Sequence, residues 1–348
     1  MTQPTSINMT FDTSLVDLQA NTSFSTTESD PSDAGTSKTY GHNVKPSDSQ
    51  QGSSDRGAGY KAPNPLYTVG TLDEGSRQPH ISTPVQHVTT KEAYNQWASV
   101  YDSDGNMLQS IDDNELLTMI PSFLSQVLSH VPSESSSIHV VDLGCGTGRN
   151  TTKLITYGWP TAHRINITAL DFSSGMLDVA AKKIQSLPLN TDKYANPTTR
   201  LEQCDCFPTI SEPSASPLPS IPGSALQPAH AVLSTLVLEH VPLPDFFSTL
   251  ASLLVEGGYA LVSNMHSDMG QVSQAGFINE VGVKVRGQSF AHTTEETREH
   301  AQRAGFEVLD IRERRMEKKD LEKGIVGVRG GKWIGVLVWY GLMLKKIA

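Results

Sequence analysis

Three glycines at alternate positions, Gly144, Gly146 and Gly148, close an apolar run made of Ile138, Val140, Val141 and Leu143. A helix-compatible segment follows from Thr151. Strand, glycine turn, helix is an order that aims backbone N–H groups and a helix N-terminus at a ligand. The spacing narrows the ligand class. A dinucleotide turn reads Gly-x-Gly-x-x-Gly, and a phosphate loop closes on Lys followed by Ser or Thr. Here the third glycine comes one residue early, and Arg149-Asn150 follow it. Carboxylates mark the ends of the first three apolar runs: Asp142, then Asp171 at 23 residues past Gly148, then Asp205. Candidate general bases are His240, His266 and His292. His266 leads among them because it leaves the fifth apolar run at the same edge, and His240 is the second choice. Cys204 and Cys206 form a single Cys-x-Cys without the second pair that a zinc site needs. The loop Asp102-Ser103-Asp104-Gly105-Asn106 has Asp113, not Glu, at the twelfth position of a calcium frame. No metal is therefore expected.

The elements that must position these groups alternate. Apolar runs at 138–143, 164–170, 200–204, 231–238, 259–264, 306–312 and 333–344 read as seven strands. Helical patterns fill 150–157, 173–184, 245–255 and 293–304, with Ser173 as a cap and Gly305 as a stop. No helix of normal length separates the last two strands. The fold class is therefore α/β, with a mainly parallel sheet and a hairpin-like ending. Ahead of the sheet, 91–102 reads as a helix with Tyr94, Trp97, Ala98 and Tyr101 on one face. That face packs on the domain, or Tyr94 or Tyr101 caps a ligand. A second helix is expected over 112–130, capped by Asp112, Asp113 or Asn114 and interrupted at Pro121. The stretch 208–228 holds six prolines and reads as an insertion.

Residues 1–90 are of another composition. Ser and Thr make up 27 of them, apolar periodicity is absent, and the segment is expected to be disordered. The whole chain of 348 residues carries a net charge of −10, which argues against a general nucleic-acid partner. No run of about 20 apolar residues offers a membrane span. No basic region followed by an apolar core offers a secretory leader. Three cysteines suit a reducing compartment, so a cytoplasmic location is expected. Nothing in the sequence sets an oligomeric state.

The stretch Val141 to Asn150 resembles motif I of the class I S-adenosylmethionine-dependent methyltransferases, Asp/Glu-x-Gly-x-Gly-x-Gly. Leu-Val-Leu-Glu-His-Val-Pro at 236–242 resembles the fourth-strand motif of the same family. The likeness covers 90–348, and the organisation is similar to small-molecule methyltransferases of fungal secondary metabolism. It implies a Rossmann-like, seven-stranded sheet with an antiparallel last strand, helices on both faces, and S-adenosylmethionine as cofactor. Carried over residue by residue, Gly144, Gly146 and Gly148 let the backbone approach the cofactor, and Asp142 engages its amino group. Asp171 takes the ribose hydroxyls, Phe172 and Met176 flank adenine, and Asp205 accepts from its amine beside the Cys206 backbone. Leu236 and Val237 pass beneath the sulfonium. The domain would run over 91–348, with lid helices at 91–130. The family's acid early in strand four is here His230 or absent. No Asn/Asp-Pro-Pro-Tyr/Phe follows strand four, which disfavours planar nitrogens of nucleic acids. The implied reaction is methyl transfer to O, N or C of a small organic molecule, with a non-catalytic binding or regulatory protein of this fold as the alternative.

Overall fold

The computed structural model describes residues 26–28, 85–131, 137–188, 194–223, 225–279 and 281–347. The segment expected to be disordered lies outside these residues, apart from a strand at Thr26–Glu28 and the chain from 85 onward. Seven strands form the central sheet: β1 (Ser137–Leu143), β2 (Arg164–Asp171), β3 (Thr198–Gln203), β4 (Ala229–Thr235), β5 (Leu254–Met265), β6 (Phe306–Arg315) and β7 (Leu337–Lys346). Their spatial order is β6-β7-β5-β4-β1-β2-β3. Pairing is parallel from β3 across to β5. Only β7 runs against its neighbours, β5 on one side and β6 on the other. The chain steps outward from β1 in one direction and from β4 in the other. The crevice where the order reverses, at the carboxyl ends of β1 and β4, is the ligand position of an open α/β sheet.

The described helices that frame this sheet are α1 (Thr90–Trp97), α2 (Met107–His130), α3 (Arg149–Thr156), α4 (Ser174–Gln185), α5 (Leu243–Leu253) and α6 (Thr294–Arg303). Successive strand residues point to opposite faces, and these strands are apolar on both. Val140, Leu233 and Leu261 join one buried cluster with Leu116, Phe123 and Leu124 of α2. Val141, Val232 and Val262 join the other with Phe246 and Leu250 of α5 and Ala301 of α6. Each fully buried Leu or Phe contributes roughly 1.5–3 kcal/mol.

Several boundaries depart from the sequence reading. α1 starts on a Thr89–Glu92 capping box and ends at Trp97 instead of Asp102. There the chain folds back, and the buried Asp104 accepts from Trp97 Nε1 at 2.8 Å. α2 begins at Met107 with Asn106 as its cap, so Asp112 and Asp113 lie inside the helix. The helix runs through Pro121 without a break. β4 stops at Thr235, three residues short of the apolar run's end. Gly257 and Gly258 sit within β5 instead of ending a helix, and Trp333 belongs to a 3-10 turn before β7. A second, four-stranded sheet forms from Thr26–Glu28, Ser273–Ile278, Lys284–Arg286 and Val85–His87, in that order. It holds the entry of α1 beside the segment 286–288, through Val88 N–H donating to Arg286 O at 3.0 Å.

Candidate active site

A cavity of about 710 Å³ opens at the carboxyl ends of β1 to β4, beneath α1. Its floor is the glycine turn. Gly144, Gly146 and Gly148 all have left-handed φ, of +73°, +53° and +74°. That region costs an L-residue roughly 1–2 kcal/mol, and glycine escapes it. Close packing adds to the requirement at Gly144, where a Cβ would fall 2.4 Å from Val237 Cγ2. At Gly146 a Cβ would meet nothing within 4 Å, because that side faces the cavity. The turn is pinned from behind: Gly144 N–H and Cys145 N–H both donate to Leu170 O at 2.9 Å, and Gly148 N–H donates to Cys145 O at 2.9 Å.

Asp171 completes the turn. Its Oδ2 accepts from Gly146 N at 2.8 Å, and its Oδ1 accepts from Ser173 N at 2.8 Å. Burial pushes this carboxyl up to about 6, against the opposing pull of the Ser173 and Gly146 N–H groups. Asp142 is buried at the end of β1, and its Oδ2 accepts from Thr151 Oγ1 at 2.5 Å. Burial likewise pushes it up to about 6, with the Thr151 hydroxyl working the other way. Asp205 is exposed at the rim, where Oδ1 accepts from Phe207 N at 3.0 Å and Oδ2 from Ser211 Oγ at 3.3 Å.

Of the residues singled out from sequence, Asp142, Gly144, Gly146 and Phe172 line the cavity on the β1–β2 side. Asp205, Cys206, Leu236 and His240 line it on the β3–β4 side. Gly148, Asp171 and Met176 stand behind that surface: Gly148 against Ala180, Asp171 under the turn, and Met176 buried in α4. His266 is not brought to the cavity. It caps the short helix Ser267–Gly270, with Nδ1 accepting from Asp268 N at 3.0 Å, and its Nε2 lies 3.4 Å from Glu313 Oε1. His292 donates from Nε2 to Val241 O at 2.9 Å. Trp97 packs away from the cavity, stacked on Phe277 at 5.5 Å, whereas Tyr94 and Tyr101 line it.

Sequence reasoning did not find three features. Leu236, at φ +55°, is the one non-glycine residue in the left-handed region among the described residues. Strain of this kind costs of order 1–3 kcal/mol and gathers at functional sites. Its N–H donates to Ser263 O at 2.9 Å. The second feature is a pairing across the cavity mouth. His240 Nδ1 lies 2.7 Å from Gln288 O, and a carbonyl only accepts, so that nitrogen carries the proton. Nε2 is left to accept from Tyr94 Oη at 2.7 Å. Burial pushes His240 down to about 4, so the ring is neutral at pH 7. Burial also holds the Tyr94 phenol well above its ordinary range. The third feature is a brace beneath the turn. Asp112 is wholly buried and accepts from Arg149 at 2.5 Å, Ser263 Oγ at 2.5 Å and Trp339 Nε1 at 2.8 Å. Only Arg149, inside the glycine motif, carried any signal of it.

Among the described residues no three His, Cys, Asp or Glu gather to hold a metal ion, and no helix is long and apolar enough to cross a membrane. A family model described as a methyltransferase domain matches residues 117–311. An uncharacterized methyltransferase from Emericella nidulans is 40% identical over 274 residues, which is 74% of this chain and 91% of that protein. Among solved structures, the chain is similar to magnesium protoporphyrin IX methyltransferase from Synechocystis at 15% identity and a TM-score of 0.43, covering 74% of this chain and 97% of that one. It is also similar to an S-adenosylmethionine-dependent methyltransferase from Mesorhizobium loti at 16% identity and a TM-score of 0.40, covering 65% of this chain and 96% of that one.

Proposed function

Because this chain belongs to the class I S-adenosylmethionine-dependent methyltransferases, we propose that it methylates O, N or C of a small organic molecule of secondary metabolism, in a reducing cytoplasm. Its cofactor is S-adenosylmethionine. The observation that carries the finer reading is one cavity joining two kinds of wall. One wall is the left-handed glycine turn with its carboxylates; the other is Tyr94, Tyr101 and His240. The segment 91–130 supplies the lid, since Tyr94 and Tyr101 come from it.

The residues present fit the cofactor. The open side of Gly146 leaves room for a ligand against backbone, and about 710 Å³ lies within the range of small-molecule sites. When bound, S-adenosylmethionine supplies an electrophilic methyl group on a sulfonium. In this reading Gly144 and Gly146 offer backbone to it, and Asp142 takes its amino group. Asp205 and the Cys206 backbone take the adenine edge, and Phe172 flanks the ring. Leu236 and Val237 shape the floor at the sulfonium. Gly148 and Met176 support the wall from behind. Asp171 holds Gly146 and Ser173 from behind the turn, and in this reading its remaining lone-pair capacity meets the ribose hydroxyls once the bound cofactor draws the carboxylate toward the cavity. Positioning is then the main work, since an aligned pair of reactants needs little further help. His240 serves as the base, because its Nε2 is an acceptor that faces the cavity once Tyr94 releases it. His266, on its helix cap, is left a structural role.

The test uses the full chain, methyl-deuterated S-adenosylmethionine and a metabolite extract. The expected result is a species that gains the labelled methyl group, together with calorimetric binding of the cofactor. Absence of cofactor binding would overturn the assignment of the turn. Binding without transfer to any extract component would overturn the catalytic reading.

A further inference from the structure

Glu239 carries a carboxyl group for which the cofactor site has no use. It lies in the 3-10 turn Leu238–His240 that follows β4. Its backbone is held on both sides: the N–H donates to Asn264 Oδ1 at 2.9 Å, and the carbonyl accepts from Phe290 N at 2.6 Å. The residue is 3% exposed, and its Oε2 has no hydrogen-bond partner. A buried polar atom left without a partner costs stability, and packing alone would be better served by an apolar side chain. The carboxyl does have a chemically relevant neighbour. Its Oε1 lies 4.0 Å from His240 Nε2, the nitrogen that also contacts Tyr94 Oη. The other titratable groups facing it are phenols: Tyr94 from α1, Tyr101 from the turn after α1, and Tyr340 from β7. Burial holds all three above their ordinary range, so none is charged at neutral pH.

We propose that Glu239 is a positioning residue that sets the basicity of His240, strengthening the base as a carboxylate and weakening it as a carboxylic acid. This rests on the reading of His240 as the base. The balance is simple. The acceptor's proton passes to Nε2, the other proton stays on Nδ1 and is still donated to Gln288 O, and the imidazolium so formed is paired by the Glu239 carboxylate. An opposite charge at this distance makes an imidazole a stronger base by about tenfold or more. Burial pushes Glu239 up to about 8, so the carboxylate forms, and the base strengthens, as pH rises through that value.

The test follows the ring nitrogens of the full-length, ¹⁵N-histidine-labelled protein without cofactor, from about pH 6 to about pH 10. His240 is assigned by the signal lost in His240→Gln. The expected result is a step in its Nε2 resonance near the Glu239 midpoint, absent in Glu239→Gln and retained in Tyr94→Phe. A step that survives unchanged in Glu239→Gln, or no step in the wild-type protein, overturns the proposal. Cofactor binding measured on the same samples reports separately on the methyltransferase site. With an acceptor in hand, Glu239→Gln should lower kcat at least tenfold above the step while the KM for S-adenosylmethionine holds. An unchanged alkaline limb of kcat would also overturn it.

Discussion

Replacing the glycines of the turn one at a time separates what the fold needs from what the ligand needs. Gly146→Ala places a methyl group at φ +53° with nothing within 4 Å, so its only cost to the empty protein is the left-handed backbone. That cost is roughly 1–2 kcal/mol. Gly144→Ala carries the same backbone cost and also drives Cβ to 2.4 Å from a methyl of Val237, whose β-branch leaves it little room to turn. Overpacking adds about 1–3 kcal/mol, so the total is about 2–5 kcal/mol. Gly257→Ala is the control, with φ +75°, an open surround and a place in β5 outside the cavity lining. Urea denaturation should rank Gly144→Ala well below the other two, which should match each other. Calorimetry with S-adenosylmethionine should then split that pair. Gly257→Ala should bind as the wild-type protein does. Gly146→Ala should bind at least tenfold more weakly, a loss of about 1.4 kcal/mol or more, because its methyl group occupies the ligand's side of the turn. Equal affinity in Gly146→Ala and the wild-type protein would refute the claim that this turn cradles the cofactor.

Three further outcomes are expected. Asp171→Ala removes the acceptor for Gly146 N–H and the proposed ribose ligand, and should weaken cofactor binding by about 1.5–3 kcal/mol in the same titration; an unchanged affinity would count against the ribose assignment. Asp112→Ala leaves Arg149, Ser263 and Trp339 without their shared acceptor, and should cost about 3–5 kcal/mol in urea denaturation; a cost below about 1 kcal/mol would show the brace to be incidental. The third concerns pH. Glu239 is raised from an unfolded value near 4.3 to about 8, so between these values the native state holds the proton that the unfolded chain has released. Its contribution to stability is therefore greatest at low pH and falls as pH rises, by up to about 1.4 kcal/mol per unit. Subtracting the melting curves of Glu239→Gln from those of the wild-type protein should isolate that slope, with the variant the more stable above about pH 8; parallel curves would contradict the burial of an unpaired carboxyl.

Which parts of the site were legible in the sequence follows from how each part is built. The cofactor half is made of backbone and of residues close to strand ends. Gly144, Gly146 and Gly148 advertise the left-handed turn because few other residues tolerate it, and Asp171 and Asp205 lie just past apolar runs whose ends are visible. Such signals are local, so the seven strands, their order along the chain and the turn between β1 and α3 could be read directly. The helix that braces the turn could not. Asp112 looked like a cap because Asp favours that position, yet it serves inside α2, with partners 37, 151 and 227 residues away. Pro121 looked like a break, yet it lies inside a continuous helix, and the residue one turn before it, Leu117, is on the exposed side of that helix. Leu236 sits in a mostly apolar run, 231–238, that gives no hint of a left-handed turn.

The half proposed to meet the acceptor rests on long-range contacts throughout. Tyr94 and His240 meet across 146 residues, and the carbonyl that selects the His240 tautomer comes from Gln288, a further 48 residues along. No pattern of types or spacing predicts that meeting. It depends on the small sheet at Val85–His87 and Lys284–Arg286, which brings the start of α1 against the segment carrying Gln288. The two halves therefore answer to different constraints. The half that holds the cofactor is written as a compact motif around a fixed ligand. The half proposed to meet the acceptor is assembled from the α1 segment and a distant loop, so in that reading its chemistry can change through residues such as Tyr94 and Gln288 while the turn stays as it is. The neutral His240 and its buried neighbour Glu239 sit where the halves join. A substitution there should alter the pH dependence of transfer and leave the binding of S-adenosylmethionine in place, whereas one at Gly146 should do the reverse.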